Sequence, residues 1–590
     1  MLERLSGRWS GWLVAGVLAL LTLWFWLLVL RLGTDKNFAI DEFQYAHASW
    51  LVSEGQVPYR DFFEVHFPLL YQLLSVVWWF GDDQPQHILW LRYAMIGVVS
   101  VTGFAMARVV VGGQTRSARA PWMWLIGPLL LFACLAYTTF ATEIRNDPMA
   151  FMMLLGAMAC LYRDRSTPIS RRTQLRPIFA GLLFALACWG TQKMLYIGIP
   201  FVAALVADLT VNRRRGAGYL LINPARFLVG AALFVVPLVI YLLATGSFDD
   251  MWRWCFEWAA EYQTRYPGFS WVPGFERVLQ DHWWYFALAA VGLATTIRRL
   301  YLTRPSGSSF DPDHLLVALW FSAFVSVAIQ VAPWDYSFIP VMGLTAVFAG
   351  RGVLALVAGA QRLGDRESDP TSAAVFVLAA LVLVGGLVLL RAHQKGVKRL
   401  SRTNAYQLEV LADIDRLTAP TDVAYDNSGG YVSRPHAYFY YQTFGGMRRH
   451  DRKQLATEIP VALRDSGAVL VMHDVRYGEL PGSVKRTIEA NFQKFSGDLW
   501  FHGWRLKRPI EKIHVNAAGA YFLTSDDPAV QARIKVDGTG FKDGTVALEP
   551  GEHTVTGTKG DRELYLLWLP RDGTRWKPKP RAKPRFSTLF

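Results

Sequence analysis

Cysteine is scarce in this chain. Its 590 residues include four, Cys134, Cys160, Cys188 and Cys255. All lie in or beside apolar runs, and none follows residue 391. A disulfide framework therefore finds no support, and buried free thiols are the expected state. Charge is also scarce inside the apolar runs. Arg92 falls near the outer end of one and Arg108 near its inner end. A proton-coupled transporter needs ionisable groups at the membrane midplane, so this scarcity argues against one. No small-x-small cleavage site follows the first apolar segment, which is too long for a cleaved leader, so it is expected to stay attached. Residues 392–590 carry no catalytic constellation. The adjacent pair His473-Asp474 reads as a strand-end turn.

Apolar residues are abundant. They make up 52% of the chain, with mean hydropathy +0.20 and 23 Trp. That is too apolar for one soluble domain, and the excess lies before residue 391 or so. A hydrocarbon core needs roughly 20 apolar residues per helix. Candidate spans fall near 11–31, 88–111, 121–141, 148–162, 177–190, 195–210, 227–245, 283–301, 314–331, 336–356 and 372–391. Residues 67–80 are a further apolar run, and loop charge decides their reading. Lys and Arg favour the cytoplasmic side. Taking 67–80 as interfacial or re-entrant puts Arg4/Arg8, Arg116/Arg119, Arg163/Arg165/Arg171/Arg172/Arg176, Arg213/Arg214/Arg215/Arg226, Arg298/Arg299/Arg304 and Arg351/Arg362/Arg366 all inside. The expectation is about 11 spans, with the N-terminus cytoplasmic and the C-terminal region outside. The net charge of +14 then needs no nucleic acid. Basic loops facing anionic lipid heads account for much of it.

That topology gathers unusual polar residues on the outer side. The first loop holds Asp41, Glu42, Tyr59, Asp61, Glu64 and His66. Later loops bring Glu143, Arg145 and Asp147, then Lys193, then Trp334, Asp335 and Tyr336. Residues 41–54 have helical apolar spacing and are expected to lie on the membrane as an amphipathic helix, closed by Gly55. Asp41 then either caps that helix or serves chemistry. Other plain readings stand beside functional ones: an Arg145–Asp147 loop salt bridge, Lys193 reaching for lipid heads, an interfacial His66, and Asp335 capping the next helix. The loop 246–282 is rich in aromatics (Trp252, Trp254, Trp258, Tyr262, Tyr266, Phe269, Trp271). It reads as an interfacial belt or as a lid on a sugar or lipid, with Glu257 and Glu261 in reach.

The order of these motifs resembles a known family. Asp41-Glu42 follows the first span. Tyr59-Arg60-Asp61-Phe62-Phe63, His66, Pro68-Leu69 and Tyr71 come next. Arg145-x-Asp147 follows the third span, and a lone Lys193 the fifth. Over residues 1–391 this is similar to the GT-C superfamily, in particular the bacterial branch of protein O-mannosyltransferases and of the aminoarabinose transferases that modify lipid A. The resemblance implies a fold class: an α-helical polytopic membrane protein of GT-C type with an outward C-terminal region. It also implies a glycosyltransferase that moves a sugar from a polyprenyl-phosphate carrier to a lipid, glycan or protein acceptor at the outer face of a bacterial inner membrane. Asp41 matches the family's general base, and Asp147 its second acidic site, which helps place acceptor or metal. Glu42, Tyr59, His66, Arg145, Lys193 and Asp335 are the expected substrate-binding residues. Lys193 matches a carrier-phosphate contact. His66 stands where relatives carry Lys, which puts one phosphate contact in question. A divalent metal is compatible with Asp41, Glu42, Asp147 and His66, at a spacing that is not diagnostic. No nucleic-acid partner is expected.

Two other classes fit the composition. One is a polymerase or ligase using a lipid-diphosphate donor, although such enzymes favour outward Arg clusters over carboxylates. The other is a non-catalytic flippase or glycan-binding scaffold, whose outward acids would diverge in space. Beyond the spans, the pattern divides into an α/β unit at 392–510, a small β-sandwich at 511–572 and a basic tail at 573–590. Helices are expected at 403–417 and 482–492, and strands near 422–426 and 468–473. Proline spacing in the tail predicts an extended, solvated segment.

Overall fold

The apolar runs form helices throughout the first two thirds of the chain. The computed structural model describes residues 2–81, 84–112, 120–162, 171–211, 224–265, 270–302, 311–330, 333–364, 370–442, 447, 451–525, 527–558 and 563–586. The loop residues Arg116, Arg119, Arg163, Arg165, Arg213, Arg214, Arg215, Arg304 and Arg366, with Tyr266 and Phe269, lie outside them. The helices are α1 (Leu2–Thr34), α2 (Ile40–Ser53), α3 (Leu69–Trp78), α4 (Ile88–Val111), α5 (Met123–Ala133), α6 (Leu135–Ala141), α7 (Asn146–Leu161), α8 (Arg171–Gly190), α9 (Lys193–Ile197) and α10 (Ile199–Val211). They continue with α11 (Pro224–Ala244), α12 (Phe248–Trp252), α13 (Trp258–Arg265), α14 (Val272–Leu302), α15 (Pro312–Ala328), α16 (Ile339–Gly364) and α17 (Pro370–Arg399).

Helical residues cover each segment expected to span. Among the described residues, four helices are long and apolar enough to cross a membrane, within Trp12–Thr34, Pro85–Val111, Pro224–Ala244 and Asp335–Ala360. A fifth span results if α5 and α6, bent by 71° at Cys134, are taken as one. The helices at Asn146–Leu161, Leu175–Gly190, Lys193–Ala204 and Pro312–Ala328 are apolar but shorter. Helix α3 has 10 residues. At 1.5 Å per residue it is far too short to cross a core about 30 Å thick. Burial separates centre from periphery: 72% of the apolar window of α16 is buried, against 17% in α11. Leu228, Val229, Leu233, Val236 and Ile240 of α11 point outward, as lipid contact requires. Two glycines let α14 and α16 touch. A Cβ on Gly292 would lie 1.9 Å from the Phe348 oxygen, and one on Gly352 2.1 Å from the Leu288 oxygen. Close backbone approach of this kind packs helices without a hydrophobic driving force.

After α18 (Ala405–Leu417), sheet structure takes over: β1 (Ala424–Tyr425), β2 (Leu470–Met472), β3 (Phe492–Lys494), β4 (Leu499–Arg505), β5 (Ile510–Val515), β6 (Gly519–Leu523), β7 (Lys535–Val536), β8 (Thr545–Leu548), β9 (Gly551–Thr556) and β10 (Tyr565–Trp568). Helices at 405–417 and 482–491 lie where the pattern put them. Strands β1 and β2 pair in parallel. Pairing then crosses the boundary expected between 510 and 511. Strand β10 lies between β4 and β6 in one seven-stranded sheet, ordered β1-β2-β4-β10-β6-β8, and β3 also pairs with β4. Strands β5, β9 and β7 make a second, three-stranded sheet. Strand partners this distant in sequence leave no local signature, which is why the pattern divides the region where the hydrogen bonds join it.

Two further features differ from expectation, both at α2. This helix is not spread on an open surface. All its residues from Glu42 to Leu51 are buried. Its polar positions are covered by polar groups of the C-terminal region: His47 Nδ1 lies 2.7 Å from the Val432 oxygen, and His47 Nε2 lies 3.4 Å from His436 Nδ1. An alternating polar face suggests water when its partner lies hundreds of residues away. The basic tail is extended but not free. Trp576 and Phe586 are buried, and the Phe586 ring packs 4.7 Å from Phe43 of α2. The N–H groups of Arg585 and Phe586 both donate to Asp498, and Gln407 donates to the Phe586 oxygen. The C-terminal stop of α2 is as expected: Gly55, at φ +81°, follows its last turn.

Truncating Phe586 removes a buried ring at this junction. Phe586→Ala should cost about 3 kcal/mol and lower the apparent Tm of detergent-purified protein; an unchanged Tm would show that the segment does not dock on α2. The histidine pair gives a pH test. Burial pushes His436 down to about 4, and burial and His436 together hold His47 low. Between about pH 6.5 and about 4 the unfolded chain binds more protons, so stability falls as pH drops through that window. In His436→Asn the fall in Tm across it should flatten, as a pH-resolved melting series can read.

Candidate functional site

Two acidic helix starts meet a pair of cations around one tyrosine. Asp41 sits in the first turn of α2 and Asp147 in the first turn of α7, where the helix dipole favours anions. Asp41 does not cap its helix. The N-cap is Ala39, whose N–H donates to Glu42 Oε1 at 2.8 Å. Asp41 Oδ2 is instead held by Arg145 Nη1 at 3.0 Å. Asp147 Oδ2 pairs with Lys193 Nζ at 2.9 Å. Arg145 and Lys193 both rest on the ring of Tyr336, at 4.2 and 4.8 Å from its centre. One aromatic plate thus joins the two ion pairs. Cations over a tyrosine face gain from its quadrupole, more so when desolvated.

The same cluster contains unused hydrogen-bonding capacity. Arg145 Nη2 and Asp147 Oδ1 are both buried without a partner. Buried polar atoms are satisfied in the great majority of cases. A free donor beside Asp41 and a free acceptor beside Lys193 therefore suit a bound polar molecule. Arg145 is secured from behind, with Nε 2.6 Å from Glu143 Oε2, and Glu143 also pairs with Lys36. Burial alone would raise Glu143, but Lys36 and Arg145 beside it hold it down to about 2. It stays an anion, and so an anchor for Arg145.

The remaining expected residues divide. Glu42 is fully buried and faces away from the cluster. Arg92 clamps it through Nη2 at 2.6 Å and Nε at 2.8 Å, and the Ile144 N–H donates to it at 3.1 Å. Tyr59 is buried with φ +74°, and its hydroxyl donates to the His66 oxygen. It holds the loop rather than facing the cluster. His66 Nδ1 lies 2.7 Å from Glu64 Oε1, and its ring is 5.5 Å from that of Tyr45. Glu64 also accepts from the N–H groups of Val65 and His66, from Tyr441 and from Gln442. Burial opposes its charge, yet His66 and the N–H of Val65 keep Glu64 low. Asp335 is half exposed and pairs with Arg277 at 2.8 Å, while its neighbour Tyr336 enters the cluster. Arg60 pairs with Asp61 at the surface. Among the described residues no group of three or more His, Cys, Asp or Glu side chains is arranged to hold a metal. The quartet Asp41, Glu42, Asp147 and His66 is divided between Arg145, Arg92, Lys193 and Glu64. The aromatic loop forms a wall nearby: Trp254 and Trp258 meet Phe63 edge-on, and Phe256 packs on Phe67.

Sequence reasoning named Tyr336 and Glu64 among the outward polar residues but left both out of the expected site. A third residue it missed comes from the C-terminal region. Arg476 Nη2 lies 3.6 Å from Asp41 Oδ1, on the oxygen that Arg145 leaves free.

No protein-family model matches the sequence, and no curated protein is similar to it at a significant level. Solved structures do match in fold. ArnT from Cupriavidus metallidurans in the apo state superposes with a TM-score of 0.54 at 12% identity, covering 83% of this chain and 97% of that one. The same protein bound to undecaprenyl phosphate gives 0.50 at 13% identity, covering 80% and 94%. An oligosaccharyltransferase from Archaeoglobus fulgidus gives 0.47 at 11% identity, covering 94% and 76%. The chain thus shares the fold of the two ArnT structures over 80% and 83% of its length.

The Arg92–Glu42 clamp underlies the position of Asp41. Breaking one side of a buried pair typically costs about 3–5 kcal/mol, because the other charge is left uncompensated. Arg92→Met should lower the Tm accordingly, whereas the double variant Arg92→Met/Glu42→Leu should recover much of the loss. A single variant as stable as the parent would refute the clamp.

Proposed function

We propose that this protein is a polyprenyl-phosphate-dependent glycosyltransferase of the GT-C type. It moves a sugar from the carrier to an acceptor lipid, glycan or protein on the outer face of a bacterial inner membrane. The carrying observation is the convergence of Asp41, Asp147, Arg145 and Lys193 on Tyr336, with a buried donor and a buried acceptor left unpaired. The fold shared with ArnT, a protein solved with undecaprenyl phosphate bound, supports the same reading. Divergent acids, which a non-catalytic scaffold predicts, are not what these contacts describe. The outward orientation rests on the basic loops.

The chemistry follows from the residue types. An acceptor hydroxyl is a poor nucleophile, so a base must take its proton as the new bond to the anomeric carbon forms. Asp41 is that base, and its help is worth about 10²–10⁴ in rate. The bond from the anomeric carbon to the carrier phosphate breaks with its electrons, and the polyprenyl phosphate departs as an anion. Arg145 and Lys193 stabilise this charge as it develops, in a site where water is sparse and each contact counts for more. Asp147 holds Lys193 in place with one oxygen and offers the other to the incoming sugar or acceptor.

A panel of undecaprenyl-phosphate-linked sugars, incubated with purified protein and membrane extract, should yield one transferred product. Asp41→Asn should reduce its rate of formation by about 10²–10⁴, and Asp147→Asn should also slow it markedly. Normally folded variants that transfer at the parental rate would sink this assignment.

A further inference from the structure

The C-terminal region reaches Asp41 through Arg476, and the manner of its attachment is informative. Strands β1 and β2 run in parallel. Open parallel sheets place ligands outside the carboxyl ends of their strands, and both loops leaving those ends turn towards α2. The loop after β1 reads Asp426-Asn427-Ser428-Gly429-Gly430 and is wound around Asp426, which accepts from the N–H groups of Ser428, Gly429 and Gly430. Gly429 sits so close to α2 that a Cβ there would come within 2.8 Å of the His47 Cβ. The loop after β2 carries Arg476. Asp474 ties the two loops together, accepting from the N–H groups of Asn427 and Arg476. Arg476 Nη1 donates to the Asn427 oxygen at 2.9 Å. One end of the guanidinium is therefore fixed on a rigid platform, and the other faces Asp41.

That second contact is the loose one. At 3.6 Å it is an ion pair without a hydrogen bond, while Arg145 holds the opposite oxygen at 3.0 Å. The connected chain Lys36–Glu143–Arg145–Asp41–Arg476 sets three cations against two carboxylates. Arg476 is the cation at its outer end, shares Asp41 with Arg145, and is not locked to it. Each oxygen of Asp41 thus has a guanidinium beside it.

Resting on the glycosyltransferase reading above, we propose that Arg476 is a donor-binding and positioning residue that exchanges Asp41 for the carrier phosphate. When the lipid-linked sugar enters, the free end of the guanidinium moves to a phosphate oxygen, which matches its planar fork better than a shared carboxylate. Asp41 Oδ1 is then released to meet the acceptor hydroxyl. Donor binding thereby exposes the base, and the acceptor follows the donor. The C-terminal region is part of the catalytic site, not an appendage to it.

The test uses the full-length protein in detergent and two probes, undecaprenyl phosphate and the uncharged alcohol undecaprenol. The parent should bind the phosphate well above the alcohol. Arg476→Ala should weaken phosphate binding about 10- to 100-fold and leave alcohol binding unchanged; Arg476→Lys should restore part of the preference. In transfer assays the Ala variant should show a raised KM for donor. Loss of both probes together would mean Arg476 is only structural and would overturn the proposal. Unchanged phosphate binding in Arg476→Ala, with normal binding by the parent, would overturn it while leaving the glycosyltransferase reading intact. A parent that binds neither probe would remove both.

Discussion

The structure around Asp41 depends on a buried guanidinium–carboxylate pair that never meets solvent. Arg92 and Glu42 are both fully buried. The guanidinium does more than neutralise the acid. It donates to the backbone oxygens of Gly33, Lys36 and Asn37 and lies over Phe38, 4.2 Å from its centre. Glu42 closes the start of α2 through Ala39 and takes the Ile144 N–H. The end of α1, the start of α2, the face of α4 and the loop before α7 are thus held at one point. Asp41 precedes Glu42, and Arg145 follows Ile144. The two residues that form the central ion pair are each one position away from the clamp. Pairs of this kind add little net stability over an apolar replacement; here the gain is in position.

A second constraint is that α2 belongs to both halves of the molecule. Its apolar side joins the helical core, as Phe43, Ala46, Trp50 and Leu51 show by their burial. Its polar side receives Val432, His436 and Tyr441. Neither half alone would bury this short helix, so helical bundle and sheet region stand or fall together there. Glu64 plays a similar part in the next loop, where a carboxylate from the first half takes donors from Tyr441 and Gln442 of the second.

How much of this is legible in the sequence depends on the reach of each interaction. Helices and their ends come from periodicity and from Gly55, both local. Asp41, Asp147, Arg145 and Lys193 stand out because charge in short loops between apolar runs is unusual, and the structure does bring them together. Glu42 reads as a functional partner of Asp41 because it is adjacent, yet adjacent residues on a helix point about 100° apart, and its direction leads to Arg92. Tyr336 is visible as a residue but not as a plate for two cations, since a ring carries no charge to flag it. Arg476 and the partners of α2 are set by contacts hundreds of residues apart, where one sequence carries no signal. The seven-stranded sheet hides for the same reason: β4 and β10 bear no mark of one another.

The packing of Phe586 on Phe43 also has a consequence in time. Synthesis proceeds from the N-terminal end, at about 5–20 residues per second. Asp41 leaves the ribosome roughly half a minute to two minutes before Phe586 does. The helices pass into the bilayer in that interval, while the segment carrying the carboxylate lacks its cover, its histidine contacts and the arginine that faces it. The cluster around Asp41 is therefore unfinished while the helices are being made. The contacts of the sheet region with α2, Arg476 on Asp41 among them, form only at the end of that interval, so the surroundings of Asp41 are the last part of the molecule to be completed.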